Sequence, residues 1–212
     1  MQYHILPVTD YQQNCTLLIC EQTGKAALVD PGGEVDWLLK QVGEHSVELE
    51  SILVTHGHLD HVGGVSLLTK QLQIPVLGPQ QADDFWIKAL PQQCIMFGFP
   101  PAEAFAPNRW LNDGDTVMVG NQALQVIHCP GHTPGHVVYY SAGQKLALVG
   151  DVLFKGSIGR TDFPQGSHQT LIRSIRDKLW PLGNDVAFIP GHGPMSTFGE
   201  ERRSNPYVGD GC

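Results

Sequence analysis

The sequence predicts a mixed α/β fold, and two sheets packed face to face with helices outside would accommodate it. Three observations carry this. Short apolar runs rich in Val, Ile and Leu recur along the chain, each of strand length and bounded by Gly, Pro, Asn or Asp. The early runs follow one another closely enough for hairpins, while the later ones alternate with helix-period stretches. The 212 residues are 42% hydrophobic and 16% charged, enough apolar material for a sizeable core. The length fits one large domain or two small ones, and other layered α/β folds remain open at this point.

In chain order, the strands expected are "YHILPV", "CTLLIC", "AALVD", "SILVT", "ALQVIH", "HVVYY", "KLALVG" and "VAFIP". Helices are expected at "EVDWLLKQVGE", where Val35, Leu38, Leu39 and Val42 share a face, and at "VSLLTKQL", with Val65, Leu68 and Leu72. "SHQTLIRSIRDKLW" opens with Ser167 at an N-cap position and lines up Leu171, Ile172, Ile175 and Leu179. "QQADDFWIKALPQQ" reads as helical up to Pro91, with Pro-rich loop beyond it.

The net charge of −8 argues against non-specific nucleic-acid binding, which needs a basic surface to replace counterions. No apolar stretch is long enough to span a membrane. "MQYHILPVTDYQQN" lacks the basic and apolar regions of a secretory signal, so a cytoplasmic location is expected. The five cysteines (Cys15, Cys20, Cys94, Cys129, Cys212) form no CxxC pair and are expected to be free, structural thiols.

Chemistry concentrates in "ILVTHGHLDHVGG". Three of the ten histidines and an aspartate fall within His56-Gly57-His58-Leu59-Asp60-His61, just after the strand "SILVT". Loops at strand C-terminal ends are where α/β domains carry ligands. On an extended loop His56 and His58 share a side, and Asp60 and His61 follow at the turn into a helix, so two pairs of ligands could face two adjacent metal positions. Zinc catalysis wants about three protein ligands per ion and an open water position. Further candidates also follow strands: His132 after "LQVIHCPG", Asp151 after "KLALVG" and His192 after "VAFIPG".

Thr55-His56-Gly57-His58-Leu59-Asp60-His61, followed in order by His132, Asp151 and His192, resembles the T-H-x-H-x-D-H signature and later ligands of the metallo-β-lactamase superfamily. The resemblance spans most of the chain and implies a four-layer αβ/βα sandwich, residues 1–212 forming one domain, with the site at one edge of the sheets. It implies that His56, His58 and His132 hold one metal, that Asp60, His61 and His192 hold a second, and that Asp151 bridges them. The mixed donor set suits two Zn²⁺ ions, with iron or manganese also compatible. Asp30, in "LVDPGG", orients a metal-ligating histidine from behind or simply forms the turn before Pro-Gly. His128 and His136 fall off the pattern and are expected to be structural, and His4, His45 and His168 to be surface or packing residues.

Such a centre implies hydrolysis by a hydroxide held between the metals, with Asp60 as catalytic proton acceptor while the tetrahedral species collapses. "GDVLFKGSIGRTDFPQGS" is similar to the glyoxalase II (hydroxyacylglutathione hydrolase) branch, in which a basic residue contacts glutathione. Here that residue is Arg160, with Lys155 adding a second charge, unless Arg160 is instead tied to Asp162 as an ion pair. The substrate implied is an S-2-hydroxyacylglutathione thioester such as S-D-lactoylglutathione, a product of methylglyoxal detoxification. The chain departs from typical members: it ends about 20 residues after His192, without their C-terminal helical glutathione-binding domain, and carries Gly193-Pro194 where an aromatic residue often follows. It thus resembles the short, single-domain members, expected as a monomer or small homo-oligomer. The alternative is a glutathione persulfide dioxygenase with one iron, suggested by "GRTDF"; a phosphodiesterase, nuclease or lactonase on the same fold follows behind.

Overall fold

The computed structural model describes residues 1–212. The chain builds β1 (Gln2–Val8), β2 (Gln13–Ile19) and β3 (Lys25–Val29), then α1 (Val35–Glu44) and β4 (Glu48–Leu53). Next come α2 (Leu59–Val62), α3 (Val65–Leu72) and the short β5 (Val76–Leu77). These five strands form one sheet in chain order. The hairpin-linked β1, β2 and β3 are antiparallel, whereas the helical crossovers make β3, β4 and β5 parallel.

A 3₁₀ turn (Gln81–Asp83), α4 (Asp84–Lys88) and α5 (Leu90–Phe97) lead into the second half. There β6 (Thr116–Val119), β7 (Gln122–His128), β8 (Val137–Ser141) and β9 (Leu146–Gly150) form an antiparallel meander. The small hairpin of β10 (Leu153–Phe154) and β11 (Ser157–Ile158) and helix α6 (His168–Ser174) follow. Then β12 (Ala187–Pro190), β13 (Ser196–Thr197) and α7 (Phe198–Ser204) close the chain. The second sheet runs β13-β12-β9-β8-β7-β6, with β12 parallel to β9.

The side-chain alternation of the central strands explains the layering. Leu18 of β2, Ala27 and Val29 of β3, Val137 and Tyr139 of β8 and Leu148 of β9 meet in one core between the two sheets. Their neighbours Leu17, Ala26 and Leu28 turn the other way, onto α1 and α3. Val138, Tyr140, Ala147 and Val149 turn onto α6 and the chain beyond it. A strand buried on both faces reads as a continuous apolar run, which is why the sequence shows "TLLI" and "LALV" rather than alternation. The result is helices, sheet, sheet, helices: the four-layer αβ/βα sandwich. Each fully buried Leu or Ile contributes roughly 1.5–3 kcal/mol, and three such cores carry the fold.

All eight expected strands form. The two- and four-residue strands β5, β6, β10, β11 and β13 lay below what periodicity resolves. One expectation is corrected. Pro91 does not end a helix; it lies in the first turn of α5, which runs on to Phe97. Its missing N–H costs nothing there, because first-turn N–H groups have no intrahelical acceptor. Ser167 caps α6 by accepting from the Thr170 N–H at 3.3 Å. The helix then widens into one π turn over Ile175–Leu179, keeping Leu171, Ile175 and Leu179 buried. All five cysteines are free thiols, four of them buried. No helix is long and apolar enough to cross a membrane.

Candidate metal centre

Five chain segments deliver polar side chains to one edge of the sandwich. Asp30 follows β3, Thr55 to His61 follow β4, His132 lies in the β7–β8 loop, Asp151 follows β9 and His192 follows β12. The two sheets are tied at this edge. Asn14 of β2 donates to the carbonyls of Pro190 and Gly193 at 3.0 and 2.9 Å, bracketing His192. Gly191 has no room for a side chain, because an added Cβ would collide with Asp151 Oδ1.

The structure brings six of the seven expected ligand residues together in two triplets, and sets the seventh, Asp151, between them. His56, His58 and His132 form one, and Asp60, His61 and His192 the other, each with its ligand atoms within 4.8 Å of one another. In the first, His58 Nδ1 lies 3.2 Å from His56 Nε2 and 2.9 Å from His132 Nε2. In the second, His192 Nε2 lies 3.1 Å and His61 Nε2 3.8 Å from Asp60 Oδ2. Asp151 stands between them: Oδ1 is 3.4 Å from His61 Nε2, while Oδ2 is 3.6 Å from His132 Nε2 and 3.8 Å from His192 Nε2.

The outer nitrogens decide which way the lone pairs point. His132 Nδ1–H donates to the Arg160 carbonyl at 2.8 Å, and His192 Nδ1–H to the Tyr11 carbonyl at 3.0 Å. His61 Nδ1–H donates to Asp30 Oδ2 at 2.9 Å. The Thr55 hydroxyl gives its own hydrogen to Asp30, at 2.5 Å, and so accepts from His56 Nδ1–H at 3.0 Å. Four imidazoles are therefore held with Nε2 lone pairs converging inward, the arrangement a metal requires of histidine. Two of the inward atoms, His61 Nε2 and Asp151 Oδ1, are buried without a hydrogen-bond partner. Buried polar atoms left in this way are costly unless a proton or a metal cation lies between them, and the converging imidazole nitrogens and carboxylate oxygens are a donor set that fits metal ions.

A third grouping, Asp30 with His56 and His61, is also close enough to hold an ion. Its carboxylate is already filled, however: Oδ1 accepts from the Thr55 N–H at 2.7 Å, and Oδ2 from the Thr55 hydroxyl and His61. Asp30 sits behind the ligands, in the left-handed region at φ 52°, which Asp tolerates better than most residues.

The two triplets differ in charge. Burial and the neighbouring imidazoles hold His56 well below its ordinary value, and burial with His132 beside it takes His58 down to about 3. Burial also lowers His132. For His61, burial is outweighed by Asp151 and Asp60, and its pKa rises well above the ordinary value. His192 is raised too, its burial outweighed by Asp60 and Asp151. Asp60 stays below the usual carboxylate range because His61 and His192 outweigh its burial. The surroundings thus disfavour a proton on the first triplet and favour one on the second.

The flanking residues are placed less simply. Arg160 extends into solvent and forms the ion pair with Asp162, at 2.8 and 3.0 Å, while its guanidinium lies 4.6 Å from the Phe163 ring centroid. Lys155 is exposed at the β10–β11 turn and pairs with no carboxylate. His136 is buried, stacks on His56 at 4.6 Å and accepts from the Asp151 N–H at 3.1 Å. His128 bonds the Pro134 carbonyl at 2.9 Å, and His4 stacks on His45.

Sequence reasoning passed over Asp83, Trp86 and Phe163. Trp86 and Phe163 stand against His58 at 4.6 and 4.7 Å, forming an aromatic wall beside the first triplet. Asp83 is buried beneath both loops of that triplet. In the sequence it is one aspartate of a polar turn, with no signal to separate it from a solvated one.

The sequence matches the metallo-beta-lactamase superfamily over residues 8–192. The chain belongs to that superfamily. Hydroxyacylglutathione hydrolase GloC of Haemophilus influenzae is 45% identical over 209 residues, 98% of each chain. Among solved structures, the BLEG-1 B3 metallo-beta-lactamase superposes with a TM-score of 0.90 at 32% identity, covering 98% of this chain and 99% of that one. TTHA1623 in a di-iron-bound form gives 0.88 at 33%, covering 97% and 100%. ETHE1 from Myxococcus xanthus gives 0.82 at 28%, covering 99% and 85%. The chain is thus a metallohydrolase of the superfamily, with histidine and aspartate groups suited to binding metal ions.

Proposed function

We propose that this superfamily member is a glyoxalase II-like thioester hydrolase, cleaving S-2-hydroxyacylglutathione to glutathione and a 2-hydroxy acid. The similarity to GloC across nearly the whole of both chains carries this reading. Two triplets with Asp151 between them support a centre for two ions. His56, His58 and His132 would hold one, Asp60, His61 and His192 the other, and Asp151 would bridge them. Zinc suits the mixed nitrogen and oxygen donors, and iron or manganese would also fit them. When bound, the ions supply Lewis acidity at the scissile carbonyl and acidify water toward neutral pH.

The chain's own residues do the rest. Asp30 and Thr55 fix the rings of His61 and His56 from behind, so that their lone pairs stay inward. Asp60, kept ionised by His61 and His192, is the carboxylate assigned here to accept a proton as the tetrahedral species collapses. Trp86 and Phe163 shield the His58 side from water. Lys155 and Arg160 offer positive charge to glutathione's carboxylates in an otherwise acidic protein. Arg160 must exchange Asp162 for substrate, and because both partners of that ion pair are exposed and screened by water the exchange costs little.

The test is the loss of thioester absorbance with S-D-lactoylglutathione, run beside oxygen uptake with glutathione persulfide. Hydrolysis without oxygen uptake is expected. Oxygen uptake without hydrolysis would establish the mononuclear-iron dioxygenase instead, a chemistry that has no need of the second triplet.

A further inference from the structure

The buried carboxylate of Asp83 uses both oxygens on the backbone around the first triplet. Oδ2 accepts from the Gly57 N–H at 3.0 Å and the Thr133 hydroxyl at 2.7 Å, and Oδ1 accepts from the Gly135 N–H at 2.6 Å. Gly57 stands between His56 and His58, and Thr133 follows His132. The two loops come from different sheets, one after β4 and the other between β7 and β8. One carboxylate therefore ties together the two loops that carry all three histidines, without hydrogen-bonding any of them.

We propose that Asp83 is a positioning residue that sets the spacing of His56, His58 and His132, and so the affinity of that metal position alone. The inference rests on reading those histidines as one metal position. Burying a carboxylate is costly, and no cation pairs with this one. Burial raises the Asp83 carboxyl to about 6, and its three hydrogen bonds offset that only in part; hydrogen bonds to an ionised acceptor are about twice as strong as neutral ones. The surroundings are built to admit it. A Cβ on Gly57 would lie 2.7 Å from Trp86 Cβ, and one on Gly135 would lie 2.6 Å from the Asp83 nitrogen. The second triplet makes no use of Asp83. His61 is held by Asp30, and His192 by the Tyr11 carbonyl. That asymmetry separates positioning from general stabilisation, which would affect both triplets together.

The experiment titrates the metal-free protein with Zn²⁺ against a chromophoric chelator and reads each dissociation constant. Asp83→Asn keeps the side-chain volume but sets an amide NH₂ against one of the donors. Both oxygens now accept from backbone N–H groups, so one of those bonds is lost whichever way the amide turns. In a His61→Ala background, which leaves only the first position intact, Asp83→Asn is expected to weaken zinc binding about 10-fold. In a His58→Ala background, which leaves only the second, it is expected to change nothing. Asp83→Ala should enlarge the first effect, and circular dichroism checks that each variant is folded. Equal weakening in both backgrounds, or none in the first, would overturn the proposal. A wild-type protein that binds no zinc would overturn the underlying metal reading, and this proposal with it.

Discussion

His61 gives its Nδ1 hydrogen to Asp30 across 2.9 Å, and this bond fixes which nitrogen faces Asp60 and Asp151. Both Asp30 oxygens are occupied by donors, so an amide there must set its NH₂ against the Thr55 N–H or against His61. Facing His61, it moves the ring hydrogen to Nε2 and covers the lone pair. Asp30→Asn is expected to weaken metal binding at the Asp60/His61/His192 triplet about 10–100-fold, as measured by chelator competition. Asn is a cleaner probe than Ala, which would add left-handed strain of roughly 1–2 kcal/mol at φ 52°.

Metal loading should release protons from one triplet and not the other. His61 and His192 are raised by the carboxylates beside them, whereas His56, His58 and His132 are held neutral by burial and by one another. A raised pKa keeps the proton on the imidazole to higher pH, most strongly on His61, and that proton must leave before a metal can take the lone pair. Affinity at the second triplet should therefore fall as pH drops, while the first stays flat until far lower pH. Calorimetric zinc titration in two buffers of different ionisation enthalpy counts the protons. The expected count is about one or more for the second triplet and none for the first; equal counts would show that the carboxylates do not hold the proton on His61.

The phenol of Tyr139 ties the two sheets just before the ligand loop, donating to the Val54 carbonyl at 2.7 Å from a wholly buried ring. Tyr139→Phe keeps the packing and leaves that carbonyl short of a donor. A loss of about 1–2 kcal/mol is expected, read from chemical denaturation of the metal-free protein.

Arg160→Ala should raise KM for the glutathione thioester several-fold with little change in kcat, the signature of lost binding common to ground and transition states. Its side chain is 69% exposed, so stability should move by less than about 0.5 kcal/mol. An unchanged KM would leave Arg160 its ion pair with Asp162 and its place over the Phe163 ring, and no part in substrate binding.

The seven side chains gathered at the sheet edge were legible because each follows an apolar strand, and because four of them fall within six residues. The layers were legible for a related reason: strands buried on both faces cannot tolerate polar residues. Asp83 and Phe163 were not. Their importance comes from contacts made across 26 and 105 residues of chain, to Gly57 and His58, and nothing local marks an aspartate that will be buried or a phenylalanine that will meet an imidazole. Pro91 was misread because one residue type both ends helices and starts them, and only the surrounding packing decides which.

The central claim is that two adjacent metal positions share Asp151. Anomalous diffraction from crystals of the zinc-loaded protein tests it most directly. The account predicts two peaks, one against His56, His58 and His132 and one against Asp60, His61 and His192, both touching Asp151. A single peak at full zinc loading, or a peak that leaves Asp151 unligated, would contradict it.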